Sequence, residues 1–431
     1  MMKLSQFLWI AVLVSATMIA TGCGGGGGTT TGGKTPTPTP TPTVTATPTP
    51  TPANIVMVTF PAPTPLAVAE KIGNGSWSTA SLSSAATLTV GLPTGVTRYS
   101  IAVACPAWNS VSGLQNEEWV IQADLADGSS YTPQVCASFP QSYSTITGNV
   151  DATAIPGAAK FNVYAPGPIG YINAASGPFS SSVAITGTDD VGILAYNSAN
   201  SILAVKILRS QHAPGTVNGG NTVTFASSDE VTTQTLSVNN APLGFTQSTS
   251  FTYITANGSF LLTDSASQYA VVPAAEAQAG DSYYVADIAS AGNGQIVSAS
   301  QSTTTAGPIT LTLPNPWSAT APVAAVFPTF TFDYTGLSGS SLVDLATLKW
   351  SHSSQTYYIN VAATANYQNG ATAVIVPDLT ALSGFFAMAP ASTTEQWTTT
   401  MMEGTPWYDL GESAPLHSVA FAEDSGSYTQ P

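Results

Sequence analysis

From residue 54 onward the chain is a succession of short apolar or alternating runs, each closed by Gly, Pro, Asn or Asp. Residues 66–72, 87–92, 99–105 and 119–124 set the pattern, and 145–151, 160–164, 191–196, 202–209 and 232–238 continue it. A period of two in β-branched and aromatic residues, bounded by turn formers, is the signature of strands that bury one face. Helical signals are scarce. Residues 273–279 open on Pro273 and stop at Gly280, and residues 378–386 follow a capping Asp378 with Leu379, Leu382, Phe385 and Phe386 on one face. The expected fold class is therefore all-β, a tandem of β-sandwich modules with few short helices.

Turn clusters suggest how the body divides. The expected modules are residues 54–143, 144–238, 239–316 and 317–431, of which the last two are not separable by pattern alone. After Val419 the chain turns polar and is expected to fray. Hydrophobic residues are 43% of the sequence, which argues against disorder in the body. Charged residues are only 7%, so Thr, Ser, Asn, Gln and Gly must supply the polar surface. The formal charge is −15 with no basic run, which makes nucleic acid and anionic lipid headgroups poor partners. Few ionisable groups also leave few ways to couple folding to pH, so tolerance of acid is expected.

Residues 1–22 have the form of a signal peptide: Lys3, then an apolar stretch from Phe7 to Ile19, then small residues up to Gly22. That stretch is shorter than the roughly 20 apolar residues a membrane span needs. Ala20-Thr21-Gly22-Cys23 resembles the lipobox of bacterial lipoproteins, with Ala20 where Leu is usual. The resemblance implies cleavage before Cys23 and lipidation of Cys23. Gly24 in place of Asp implies the outer membrane rather than the inner one. Residues 24–53 continue as a Gly-rich swivel and two Thr-Pro runs. Such a segment buries no core and is expected to be a disordered linker, extending roughly 50 Å as polyproline II.

With Cys23 taken by lipid, Cys105 and Cys136 remain as an even pair in an exported, oxidising setting. They form a disulfide or stay as two buried thiols. The run ITGNVDATAIPGAAKFNVYAPG is similar to the opening of transthyretin-like and carboxypeptidase-regulatory-like sandwiches, through Gly148, Val150, Pro156-Gly157-Ala158 and Phe161-Asn162-Val163. DVGILAYNSANSILAVKILR resembles a later hairpin of the same family, turning at Ser198-Ala199-Asn200. The resemblance implies an Ig-like fold and a spacer or adhesion role, with no catalytic residues. Lys160, Asp189, Asp190 and Asn197 are residue types that form isopeptide bonds in some surface sandwiches.

Searching for chemistry yields little. His212, His352 and His417 are far apart and fall in no metal-binding pattern. Gly280-Asp281-Ser282 evokes the nucleophile block of one esterase family, but that family needs an Asp-x-x-His and a parallel α/β sheet. Here His417 follows Ala414-Pro415-Leu416. Glu117-Glu118 and Asp189-Asp190 are neighbours whose side chains point to opposite faces of a strand. Asp124, Asp127 and Gly128 form an acidic turn without the remaining ligands of a Ca²⁺ loop. No catalytic residue, metal or cofactor is expected. Aromatics are the remaining lead, because a Trp or Tyr plane flanked by amides suits a sugar ring. Trp108 beside Asn109, and Trp407-Tyr408-Asp409, are the best placed, although large aromatics more often fill cores. The expected function is a non-enzymatic cell-surface lipoprotein with a structural, adhesion or ligand-display role. A glycan-binding role through exposed aromatics is the alternative, and a hydrolase comes third. Expected partners are the membrane, through the lipid, and envelope polysaccharide or another surface protein.

Overall fold

A computed structural model describes residues 54–110, 113–133, 135–136, 144–164, 172–183, 188–212, 215–265, 267–337, 341–404 and 419–431. The signal peptide, Cys23 and the Thr-Pro linker lie outside these residues. The described chain is all-β, built from several sandwich-like sheets, as the alternation predicts. Both stretches expected to be helical are turns instead. Asp378 accepts from the N–H and hydroxyl of Thr380, so its side chain makes a tight turn rather than a cap that propagates. Near Pro273 the Glu276 carboxylate is drawn away to the Ile207 N–H. The α-helix described is a single turn, Ala365–Gln368, capped by Thr364 and closed by Asn369 at positive φ.

The organising element is a 13-stranded sheet. In spatial order it runs Gly258–Leu261, Thr246–Thr255, Ser282–Ser290, Ile296–Thr303, Val419–Thr429, Thr394–Gly404, Leu342–His352, Gln355–Thr364, Gly113–Asp124, Arg98–Ala104, Ala67–Ile72 and Ser78–Ala80, with Trp108–Ser110 paired to Gly113–Asp124. Neighbours are antiparallel except Gln355–Thr364 beside Gly113–Asp124, which are parallel. Strands near both ends of the body thus share one hydrogen-bonded surface. The C-terminal residues 419–429, expected to fray, are an interior strand of this sheet, held between Thr394–Gly404 and Ile296–Thr303. Hydrogen bonding to two neighbours outweighs their polar composition.

At one end of the long sheet a three-stranded sheet of Thr87–Leu92, Asn54–Thr59 and Ser130–Tyr131 closes a core of Val56, Val58, Leu88, Val90, Tyr99, Ile101 and Ile121. The Cys105–Cys136 disulfide is formed at its margin, with Cα atoms 5.4 Å apart. It closes a span of 31 residues, which in the chain-entropy model stabilises by about 3–4 kcal/mol. A Cys105→Ser, Cys136→Ser variant should lose that amount in chemical denaturation, and an unchanged midpoint would show that the bond contributes nothing.

Residues 144–225 make a separate sandwich. Lys160–Tyr164, Thr188–Tyr196 and Ile202–His212 face Ser176–Val183, Ser144–Asp151, Gly215–Thr216 and Val223–Thr224. Ile146, Val150, Phe161, Val163, Val191, Ile193 and Phe225 fill its interior. Gly148 has no side chain because a Cβ there would lie 2.6–2.8 Å from Val217 and the Phe179 ring. The other face of Thr188–Tyr196 and Ile202–His212 is buried too, through Leu194, Tyr196, Val205 and Ile207 against Phe251, Tyr253, Phe260 and Leu262. Burial on both faces explains why residues 191–196 read as an unbroken apolar run. Thr232–Asn239 lies outside this sandwich, pairing with Gln268–Val271 and Ile309–Thr312.

Candidate functional site: an open polar face on the long sheet

Alternation along each strand gives the long sheet two chemically distinct faces. On the inner face Val120, Val361, Ala346, Leu348, Trp397, Met401, Ala422, Val297 and Val285 form the largest core. The register carries this face from strand to strand, since Val120 stands opposite Val361, Val361 opposite Ala346, and Leu348 opposite Trp397. Residues one position away therefore share the outer face. Its cross-strand row is Glu117, Tyr358, Lys349, Gln396 and Ser427, each directly opposite the next.

This row is open to solvent, and the row beside it is locked. Gln396 and Ser427 are exposed, and Glu117, Tyr358 and Lys349 are partly buried. The neighbouring row of Trp119, Asn360 and Thr347 is tied into one hydrogen-bonded set. Thr347 Oγ1 donates to Asn360 Oδ1 at 2.9 Å, and Asn360 Nδ2 donates to Glu117 Oε1 at 3.2 Å. Trp119 Nε1 donates to the same oxygen at 2.8 Å. Lys349 Nζ lies 5.5 Å from the centroid of the Tyr358 ring, within cation–π range. The row thus presents an amide, hydroxyls and an aromatic ring with one charge of each sign.

Trp108 lies beside this surface. It is partly buried and stands opposite Gln115, two residues along the strand from Glu117. The disulfide holds the same corner, because the Cys105 N–H donates to the Glu117 carbonyl. Trp119, Trp317, Trp350 and Trp397 are core residues, in keeping with the usual fate of large aromatics. Trp407, Tyr408 and His417 lie outside the described residues.

The inner face carries a feature the sequence did not disclose. Glu118, Asp344, Glu395, Asp424 and Asp287 are buried on it, one on each of five strands. Glu118, Asp344 and Asp424 each bind a segment outside the sheet, and Glu395 binds the strand beside it. Glu118 accepts from the Phe386 N–H, and Asp344 accepts from Gln368 Nε2. Glu395 accepts from the Tyr428 hydroxyl, and Asp424 accepts from the Ala319 N–H. Burial pushes the Glu118 carboxyl up to about 8 and that of Asp344 up to about 7, outweighing the one hydrogen bond that lowers each. Glu395 is also raised by burial. Glu118, Asp344 and Asp424 thus hold the segments at Phe386, Gln368 and Ala319 against the sheet.

The remaining candidates have structural employment. Asp281 of the Gly-Asp-Ser string receives Arg209 Nη2 at 2.7 Å and the Tyr253 hydroxyl at 2.8 Å, so it is an ion-pair anchor. Arg209 also contacts Asp190 at 3.1 Å and the Glu276 carbonyl at 2.8 Å, while Lys206 pairs with Asp229 and Glu276. Burial raises the Asp190 carboxyl, but the Ser210 N–H, the Thr255 hydroxyl and the Arg209 guanidinium together hold it below its ordinary value. Asn197 caps its own turn through the N–H groups of Ala199 and Ser201. Lys160 stands opposite Tyr196, at the far end of the strand from Asp189 and Asp190, so the register keeps it away from both. In the acidic turn Asp124 caps Leu125–Asp127, and Asp127 accepts from Thr364 and Asn366. His212 and His352 are exposed. Among the described residues no group of His, Cys, Asp and Glu could hold a metal ion.

No family model and no curated protein matches the chain. Among solved structures it is similar to the Bacteroides ovatus mixed-linkage glucan utilization locus SGBP-B in complex with mixed-linkage heptasaccharide. The identity is 9%, covering 90% of this chain and 98% of that one, with a TM-score of 0.12. So low a score transfers neither fold nor ligand.

Proposed function

We propose that this chain is a non-enzymatic lipoprotein of the bacterial cell surface, tethered through Cys23, whose β body displays a ligand-binding face, and that the ligand is a glycan. One observation carries the glycan reading: the open outer row of the long sheet, with the Gln396 amide, the Ser427 hydroxyl and the Tyr358 ring under Lys349, beside a hydrogen-bonded row. Sugars need both an apolar plane to cover C–H faces and donors and acceptors to satisfy hydroxyls, and side chains already held by hydrogen bonds cost little ordering entropy on binding. A net charge of −15 favours uncharged partners such as neutral envelope polysaccharide over nucleic acid. Among the described residues no helix is long and apolar enough to cross a membrane, so the lipid on Cys23 supplies the membrane attachment in this reading.

Two measurements test it. Palmitate labelling should mark the wild type and be absent from Cys23→Ala. Affinity electrophoresis in gels containing neutral polysaccharides should retard the protein, and Trp108→Ala should reduce the retardation. A purely structural or protein-adhesive role predicts unaltered mobility in every gel, and that result would remove the glycan from the proposal.

A further inference from the structure

We propose that the outer face takes a single unbranched, uncharged glycan laid across the strands, one sugar per strand, along Glu117, Tyr358, Lys349, Gln396 and Ser427. This rests on the glycan reading above and adds the ligand's shape, direction and charge.

The direction follows from register and burial. The five residues are consecutive cross-strand partners, so they form a straight line perpendicular to the strands. Strands lie about 4.8 Å apart, so the line spans roughly 19 Å. The spacing of the side chains is close to the repeat of an extended pyranose chain. At the Glu117 and Tyr358 end the flanking positions are closed on both sides. Gln115 and Thr356 are buried on one, and Trp119 and Asn360 on the other. Only the middle row is left to a ligand there, so a chain running along the strands meets filled positions within two residues. Towards Gln396 and Ser427 the row emerges fully into solvent.

The charge follows from composition. The row holds Lys349 and Glu117, whose charges cancel, on a molecule with 23 acidic and 8 basic residues. A polyanionic glycan would meet one cation locally and repulsion everywhere else. A neutral glycan meets a polar row with no charge to offset. Branches would collide with the closed flanks at the Tyr358 end.

The test uses the full chain in detergent and uncharged gluco-, manno- and xylo-oligosaccharides from disaccharide to hexasaccharide, with a polyuronate of similar length, followed by titration calorimetry. For at least one uncharged series, affinity should climb with length up to the pentasaccharide and then level off, with the polyuronate weaker. Tyr358→Ala and Gln396→Ala should each weaken the pentasaccharide by about tenfold, the scale of one or two lost contacts. Ser427→Trp, at the open end, should weaken the pentasaccharide and leave the disaccharide unchanged. Gln396 and Ser427 are exposed and Tyr358 is partly buried, and circular dichroism checks that each variant keeps the fold. If oligosaccharides bind but their affinity ignores length, or Tyr358→Ala and Gln396→Ala bind as wild type while Trp108→Ala does not, the row is wrong and the glycan reading survives. Equal or tighter binding of the polyuronate overturns the uncharged ligand. Binding of no probe overturns the row and the glycan reading together.

Discussion

Acidification from about pH 8 to about pH 5 is expected to stabilise this protein, raising its thermal midpoint. The cause is the buried acids of the inner face. Glu118 titrates near 4.5 when unfolded and at about 8 in the folded protein, and Asp344 moves from 3.8 to about 7. Between those limits the folded state binds the proton that the unfolded state has released. Their favourable contribution is thus complete below the unfolded values and is lost as pH rises through the folded ones. Each tenfold gain in proton affinity on folding is worth about 1.4 kcal/mol, so these two groups together contribute a few kcal/mol across the window. Glu395 and Glu423, also raised by burial, add in the same direction. Asp190 has the opposite sign, because its carboxyl is lowered; its contribution is lost only as pH falls below the ordinary aspartate range. Glu118→Gln and Asp344→Asn keep an acceptor for the Phe386 N–H and the Gln368 amide while removing the titration. The double variant should be more stable than wild type at pH about 8 and have a shallower pH dependence, the remainder coming from Glu395 and Glu423. A thermal midpoint that falls on acidification, or a double variant with the wild-type slope, would sink this account.

The second large effect is expected at Arg209. Arg209→Met should destabilise by about 3–5 kcal/mol, the usual cost of leaving buried carboxylates without their cation. Asp190 and Asp281 are each almost wholly buried, and both depend on this one guanidinium. The loss should appear as a lower urea midpoint. Adding Asp281→Asn to Arg209→Met should recover part of it, since the second carboxylate then no longer needs a counter-charge. If Arg209→Met unfolds at the wild-type urea concentration, the ion pairs that Arg209 makes with Asp190 inside the 144–225 sandwich and with Asp281 beside Ser282–Ser290 contribute nothing net. The chain has only 8 basic residues, and placing two of them at this junction leaves little cationic surface elsewhere.

Much of the local architecture is legible in the residues themselves. Alternation marks Thr87–Leu92, because a strand with one buried face must repeat every second residue. The same rule separates Glu117 from Glu118: one belongs to the open row and its neighbour to the core. The rule does not say which of the two is inside. Both are glutamates, and composition alone would send both to solvent. The turn at Pro273 and the polar strand at 419–429 depart from expectation for a related reason. Local propensity favours a helix in one case and a frayed tail in the other, and contacts with residues far away in sequence overrule both.

Taken alone, the sequence determined the class of fold, the cysteine pair, and a surface that depends on hydrogen bonding rather than charge. These are properties of residue type and short-range spacing, which a linear chain displays directly. Tertiary structure alone decided that strands from residues 67–124, 246–303 and 342–429 share one sheet, and hence that Glu117, Tyr358, Lys349, Gln396 and Ser427 stand in a line. Those five residues are separated by as many as 310 positions in sequence. Pairing between such distant strands depends on which buried faces fit together, and no periodicity within a single strand encodes its neighbour.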